Sequence, residues 1–240
     1  MNDMLRHRLD DLGDRVDGVI AEVKPRLRGW LHAVTAPLTL AAGVVLIALS
    51  PDDLTRTGSA IFTLSAVLLF GVSAVYHRGH WSPRVHAVLQ RLDHSNIFLL
   101  IAGSCTPFAL LLLEGADRWT MLAISWGGAI AGVLTKVFWS SAPRGLSVPI
   151  YIALGWAPVF FFGDFFRGAM ASYGAGLGTA VMALVILGGA FYTLGGIVYG
   201  TKRPNPWPRW FGFHEVFHTF TIVAFVAHYV GVSLATYSLR

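Results

Sequence analysis

The chain has 240 residues, of which 55% are hydrophobic and 13% are charged, and its mean hydropathy is +0.59. Soluble domains contain about 25% charged residues, so this composition excludes an ordinary soluble enzyme and indicates a membrane protein. The net charge of +5 does not indicate nucleic-acid binding, because the basic residues lie between apolar runs rather than on one face of a soluble domain. We therefore expect no nucleic acid among the partners.

Residues 1–29 form a charged segment with the pattern of an amphipathic helix. Its apolar residues follow one another at alternating steps of four and three: Leu5, Leu9, Leu12, Val16, Val19 and Val23. This spacing places them on one helical face. We expect a cytoplasmic helix that either lies on the membrane surface or pairs with another chain, which leaves a homo-oligomer open.

Seven long apolar segments follow, each close to the ~20 residues needed to cross a hydrocarbon core. They lie at about 31–49, 58–77, 94–113, 119–138, 146–163, 177–200 and 214–236. Pro149, Gly155 and Pro158 interrupt the fifth, but such residues are tolerated where neighbouring helices satisfy the freed backbone groups. We expect an all-α integral membrane protein in which residues 30–240 form a bundle of seven transmembrane helices.

The distribution of lysine and arginine predicts the orientation of this bundle. If the N-terminus is cytoplasmic, 14 of the 18 basic residues fall on the cytoplasmic side. The four on the other side are Arg56, Arg118, Arg167 and Arg240. Cytoplasmic loops carry the excess of basic residues in membrane proteins, so we predict the N-terminus inside and the C-terminus outside.

Two predicted helix ends bring three histidines to one depth on the cytoplasmic side. His77 ends the second span, while His214 and His218 open the seventh. A separation of four residues places His214 and His218 on one helical face, about 6 Å apart along the axis, where both imidazoles can share a metal ion. His77 completes a three-histidine set that leaves a fourth position for water, as in catalytic zinc sites. We expect one Zn²⁺ ion.

Asp93 and Ser73 lie at the same predicted depth. Asp93 precedes the third span, and Ser73 lies one helical turn before His77. Zinc lowers the pKa of a coordinated water to about 7, and Asp93 is then the expected general base. The Ser73 hydroxyl is placed to hold a substrate carbonyl or the oxyanion formed from it. The alternative for Asp93 is a structural ion pair with Arg91 or Arg209.

The sequence His214-Glu215-Val216-Phe217-His218 also matches HExxH, in which the glutamate is the base of a metalloprotease. In that case Glu215 rather than Asp93 accepts the proton. His228 lies about 15 Å further along the helix, too deep to share the ion. We interpret the remaining histidines as interfacial residues or helix caps: His7, His32, His80 and His86.

Six stretches of the chain carry a family resemblance. They are Ser73-x-x-Tyr76-His77, Leu92-Asp93-His94-Ser95-Asn96-Ile97, the run from Ile101 to Phe108, Gly155-Trp156, Gly195-Gly196-x-x-Tyr199 and His214-Glu215-x-x-His218. In order and spacing they resemble the hemolysin III family, the bacterial branch of the progestin and adipoQ (adiponectin) receptor superfamily. Together they cover nearly the whole chain after residue 29 and are far more specific than any one motif.

The resemblance implies seven transmembrane helices with a cytoplasmic N-terminus and one zinc ion on His77, His214 and His218. It also implies site roles for Asp93 and Ser73. A wider similarity to alkaline ceramidases implies that a metal-bound water hydrolyses a lipid amide or ester. Membrane lipids are then the expected partners, one of them the substrate, and the bacterial plasma (inner) membrane is the expected location of this multi-pass protein.

Two other functions stay open. The family name reflects a cytolytic, pore-forming activity, and other branches of the superfamily have receptor or lipid-homeostasis roles. A pore needs a polar stripe through the bundle. Apart from His228 and scattered hydroxyls, the outer half of the predicted helices offers little polar lining. The histidine set therefore favours a hydrolase over a pore.

Overall fold

The computed structural model describes residues 25–139 and 142–240, and this part of the chain is helical without a β-strand. The predicted amphipathic helix lies outside the described residues, apart from its last few positions. The helices are α1 Trp30–Ala48, α2 Asp53–Arg78, α3 Pro83–Leu112, α4 Gly115–Phe138, α5 Arg144–Gly155, a 3₁₀ helix Ala157–Phe161, α6 Phe162–Thr201 and α7 Phe213–Tyr237.

Six helical segments in the described ranges are long and apolar enough to cross a membrane. One of them, Arg144–Thr201, joins α5, the 3₁₀ helix and α6 over 58 residues. A single crossing needs only about 20 residues. The backbone leaves helical geometry inside this segment at Gly174, where φ is 72° and ψ is 176°. Length and composition are those of a multi-pass membrane protein.

The start of α3 decides where Asp93 lies. The helix begins at Pro83 after Ser82, which agrees with proline at the first helical position. It therefore starts well before the predicted span at residue 94. As a consequence, Asp93 lies about ten residues inside α3, and its side chain is buried in the bundle.

The fifth predicted segment is not one continuous helix. α5 ends at Gly155, and residues Ala157–Phe161 form the 3₁₀ helix before α6 begins. Pro158 has no backbone N–H to donate and disfavours a helical conformation at the residue before it, so the α-helical hydrogen-bond pattern stops here. Residues at this break, among them Trp156 and Pro158, line one of the cavities described below.

Aromatic packing holds α2 and α7 together. Phe225 of α7 stacks on Phe62 at 5.2 Å and meets Phe70 edge-on at 5.3 Å between ring centroids. All three rings are buried in the main core. Large apolar side chains on the outside stay exposed, as expected of a surface that faces lipid: examples are Leu38, Leu64, Phe138 and Phe160.

Candidate metal centre

The structure brings His77, His214 and His218 together. His77 lies in the last turn of α2, and the other two lie in the first two turns of α7. One potential ligand atom from each lies within 4.8 Å of the others. His77 and His218 are buried, and His214 is half-buried. This histidine cluster could hold a metal ion.

The spacing of the nitrogens fits a shared ion. His77 Nε2 and His214 Nε2 are 3.2 Å apart. Zinc binds imidazole nitrogens at about 2.0–2.1 Å in a tetrahedral arrangement, which places two ligand nitrogens roughly 3.3 Å apart. Imidazole nitrogens, here on three separate helix turns, are also a donor type that zinc prefers. The residues present therefore fit the group that the sequence predicts.

His32 is not the interfacial residue that the sequence predicted. It is only 2% exposed, and its ring stacks on that of His218 with centroids 3.8 Å apart and planes 12° apart. Neither of its ring nitrogens has a hydrogen-bond partner in the described part of the chain. His80 and His86 are exposed as predicted, and His7 lies outside the described residues.

Asp93 and Ser73 lie beside the histidine cluster. The carboxylate oxygen Oδ2 of Asp93 is 3.8 Å from His77 Nε2. The Ser73 hydroxyl interacts with this carboxylate, and both side chains are buried. Asp93 makes no ion pair with an arginine among the described residues, so the structural alternative considered for it does not occur there. The contact gives Ser73 a way to orient Asp93 that the sequence did not predict.

Glu215 is occupied on both of its oxygens. Oε1 lies 2.5 Å from Arg28 Nε, and Oε2 accepts a hydrogen bond of 2.8 Å from the backbone N–H of Gly212 at the start of α7. Its side chain is 1% exposed. Glu215 therefore caps α7 and fixes the turn before α1, while its neighbours His214 and His218 point into the site.

His228 is separate from the cluster, as the sequence predicts. Its Nε2 lies 3.2 Å from the backbone carbonyl of Val185. Ser104 and Thr106 also donate to backbone carbonyls one turn earlier in their own helix, those of Ile101 and Ala102. Such bonds are the ordinary use of hydroxyls inside helices.

Two cavities border the histidine cluster. One is a polar space of about 450 Å³ with His77 and His214 in its wall, which we call the vestibule. The other, the apolar cavity, has a volume of about 180 Å³ and is bordered by Ser73, Asp93 and His218. Ile97, Tyr151 and Tyr199 line both. The histidine cluster thus has two of its members in the wall of the vestibule and the third in the wall of the apolar cavity.

Two residues of these walls, Lys136 and His32, were not among the site residues predicted from the sequence. Lys136 lies in the last turn of the apolar helix α4 and is only 5% exposed. Ionisable residues inside membrane spans are costly and tend to be functional, so its position was a signal. His32 lay within the first predicted span and gave the same signal.

Comparison with known proteins agrees with the resemblance. The family model described as haemolysin-III related matches residues 20–229. "Hemolysin-3" of Bacillus cereus is 31% identical over 80% of this chain and 82% of its own length. The "Hemolysin-3 homolog" of Bacillus subtilis is also 31% identical, over 80% of this chain and 84% of its own. The "Adiponectin receptor protein" of Drosophila melanogaster is 26% identical over 72% of this chain and 41% of its own length.

Proposed function

This chain belongs to the haemolysin-III related family, and from that membership and the histidine geometry we propose that it is a zinc-dependent hydrolase of a membrane lipid. The bond cleaved is an amide or ester, and the site opens to the cytoplasm. The observation that carries the proposal is the placement of three histidine ligand atoms within 4.8 Å of one another, beside the buried Asp93.

The proposed topology has seven crossings with the N-terminus inside and the C-terminus outside, in the bacterial plasma membrane. Support comes from the 58-residue segment Arg144–Thr201, which is interrupted at Gly174 and is long enough for two crossings. The excess of basic residues in the predicted cytoplasmic loops supports this orientation. Two crossings in this segment return α7 to the cytoplasmic side with His214 at its start.

Each residue of the site has a proposed task. His77, His214 and His218 hold the ion, and a zinc ion held there lowers the pKa of a coordinated water and polarises a carbonyl. Asp93 accepts the proton of the attacking water and returns it to the leaving amine or alcohol. Ser73 orients the Asp93 carboxylate through its hydroxyl. His32 fixes the plane of His218 by stacking on it.

The apolar cavity is the proposed location of an acyl chain. Its wall includes Leu69, Phe108, Phe165 and Met182. Burying the apolar surface of a lipid tail against these side chains would favour binding by about 25 cal/mol per Å² removed from water. The cavity reaches from Asp93 and His218 to Trp156 and Phe162 beside the break between α5 and α6. A lipid tail placed there would bring its amide or ester carbonyl to the histidines.

Hydrolysis is tested by measuring the release of free fatty acid from a panel of ceramides and acyl lipids. We expect release by the wild type and a loss of about 10²–10⁴-fold in Asp93→Asn, because removal of a general base costs that much. Asp53→Asn is the matched control, since Asp53 is exposed in the first turn of α2, far from the site. If the wild type releases no fatty acid from any lipid of the panel, the proposal is wrong.

The second candidate is a pore, because the relative from Bacillus cereus carries the name "Hemolysin-3". Liposomes loaded with dye distinguish the two: a pore makes wild type and Asp93→Asn leak equally without hydrolysis. A regulator without chemistry, as the name of the Drosophila relative suggests, binds metal but gives neither release nor leakage. The mainly apolar wall of the cavity beneath the histidines favours the hydrolase.

A further inference from the structure

The vestibule is rich in positive charge. Arg28, Lys136 and Arg144 all line it, and none of its described lining residues is an aspartate or glutamate. The remaining polar side chains in its wall are histidines, tyrosines, a glutamine and a serine. Cationic walls without carboxylates favour an anionic occupant.

Two of the three cations have no acidic partner in the described part of the chain. Arg28 is neutralised by Glu215. Lys136 is 5% exposed, and the bond recorded for its Nζ goes to Ser147 Oγ at 2.5 Å. Arg144 places its guanidinium over the ring of Tyr199, 4.8 Å from the centroid. Lys136 is the buried one of the two, and a buried charge is costly unless it is paired, so an anion bound beside Lys136 would stabilise this wall.

The start of α5 adds to the same wall. Arg144 is the first residue of this helix and Ser147 lies in its first turn. The free backbone N–H groups and the dipole of a helix favour an anion at its N-terminus. Arginine presents a planar fork of donors that matches phosphate oxygens, and lysine adds a point charge. Lys136, Arg144 and the α5 N-terminus, here called the cationic wall, thus have the chemistry of a phosphate site.

Two tyrosines of the vestibule connect the cationic wall with the apolar cavity. Tyr199 carries Arg144 on its ring and also lines the apolar cavity. Tyr151 likewise lines both spaces. A molecule with an anionic head and an apolar tail can therefore place the head at the cationic wall and the tail in the apolar cavity, with the intervening bond at His77 and His214.

We propose that the cationic wall binds the phosphate of a lipid headgroup, so that the substrate class is an anionic phospholipid whose acyl bond lies at the histidine cluster. This rests on the proposed function for the hydrolysis step, but the binding itself does not require turnover. A phospholipid headgroup and free inorganic phosphate both present anionic phosphate oxygens to the cationic wall. The two ligands are distinguished by whether acyl chains increase the affinity.

Binding is measured on the purified full chain after removal of metal with a chelator. The probes are short-chain phosphatidic acid, the uncharged diacylglycerol with the same chains, and inorganic phosphate. We expect phosphatidic acid to bind at least tenfold more tightly than either other probe. Equal binding of inorganic phosphate would overturn the lipid headgroup, and equal binding of diacylglycerol would overturn the anion site.

Variants assign the binding to the cationic wall. Arg144→Gln changes an exposed residue and should fold normally, and we expect it to weaken phosphatidic acid binding about tenfold or more, as for loss of a charged hydrogen bond. Lys136→Gln should act similarly and Lys136→Arg should bind like the wild type. Exposed Arg84 and Lys202 provide the matched controls, Arg84→Gln and Lys202→Gln. Equal affinity in Arg144→Gln and wild type would overturn the proposal.

The two proposals fail separately. Tight phosphatidic acid binding that depends on Arg144, without fatty acid release by the metal-loaded protein, retains the headgroup site and contradicts the hydrolase. Release from uncharged ceramides that is unchanged by Arg144→Gln retains the hydrolase and overturns the headgroup site.

Discussion

Arg28 Nε lies 2.5 Å from Glu215 Oε1, and this ion pair joins the turn before α1 to the first turn of α7. A backbone hydrogen bond connects the segments that precede these two helices, because the N–H of Arg26 donates to the carbonyl of Arg209 at 3.0 Å. The second oxygen of Glu215 caps α7 through Gly212. The glutamate of the HExxH sequence is therefore part of the framework that holds His214 and His218 in place.

Glu215→Gln is expected to lower the stability of the folded protein more than its rate of lipid hydrolysis. Glutamine can still accept from the N–H of Gly212, but it loses the charge that pairs with Arg28, which costs about 1.5–3 kcal/mol for a charged hydrogen bond. Thermal unfolding should show a lower Tm, while fatty acid release per folded molecule should stay within about tenfold of the wild type. Loss of turnover equal to that of Asp93→Asn, with normal zinc content, would instead identify Glu215 as the base.

His32 is expected to support the metal centre through its stack on His218. An aromatic pair contributes about 0.5–1.5 kcal/mol beyond its buried area, so His32→Ala should weaken zinc binding roughly two- to tenfold in competition with a chelator. His32→Phe keeps a flat ring and should restore most of the affinity. If His32→Ala removes zinc as completely as His214→Ala, His32 is a ligand and the stacking role is wrong.

Gly29 allows the turn before α1 to approach His77 closely. Its φ is 82°, and a Cβ at this position would lie 2.8 Å from the Cβ of His77. Gly29→Ala should therefore displace His77 and weaken zinc binding by about tenfold, the lower end for disturbed support of a metal ligand. Gly115→Ala is the control, since Gly115 also has positive φ, 52°, but has no atom within 4 Å of the added Cβ. Equal zinc affinity in the two variants would contradict this role.

The topology predicts opposite locations for the two termini. Seven crossings put the C-terminus outside if the N-terminus is inside, whereas one crossing by Arg144–Thr201 would leave both on the same side. Alkaline phosphatase fused after Arg240 should be active, and a fluorescent protein fused there should be dark. A fusion after His80, in the loop between α2 and α3, should behave in the opposite way. Fluorescence from the Arg240 fusion would contradict the seven-crossing bundle.

Long apolar segments predicted that the chain is helical and membrane-spanning, because a span must satisfy its own backbone hydrogen bonds and so requires about 20 apolar residues. They did not predict where α3 begins or where α5 ends, because polar turns of a helix outside the apolar run leave no such signal. The histidine cluster was also predicted, since depth in a membrane places distant residues at one level. Predictions failed where side-chain direction decides the outcome. Two contacts depend on how α1 and α7 are rotated relative to each other: the stacking of His32 on His218 and the ion pair of Arg28 with Glu215. That rotation cannot be read from single residues.

The central claim is that His77, His214 and His218 form one metal site, and elemental analysis of purified protein tests it most directly. We predict about one zinc per chain in the wild type, a large loss in His214→Ala, and unchanged zinc in His228→Ala, because His228 contacts the Val185 carbonyl instead of the cluster. Zinc well below one per chain in the wild type, and the same amount in His214→Ala, would contradict the account.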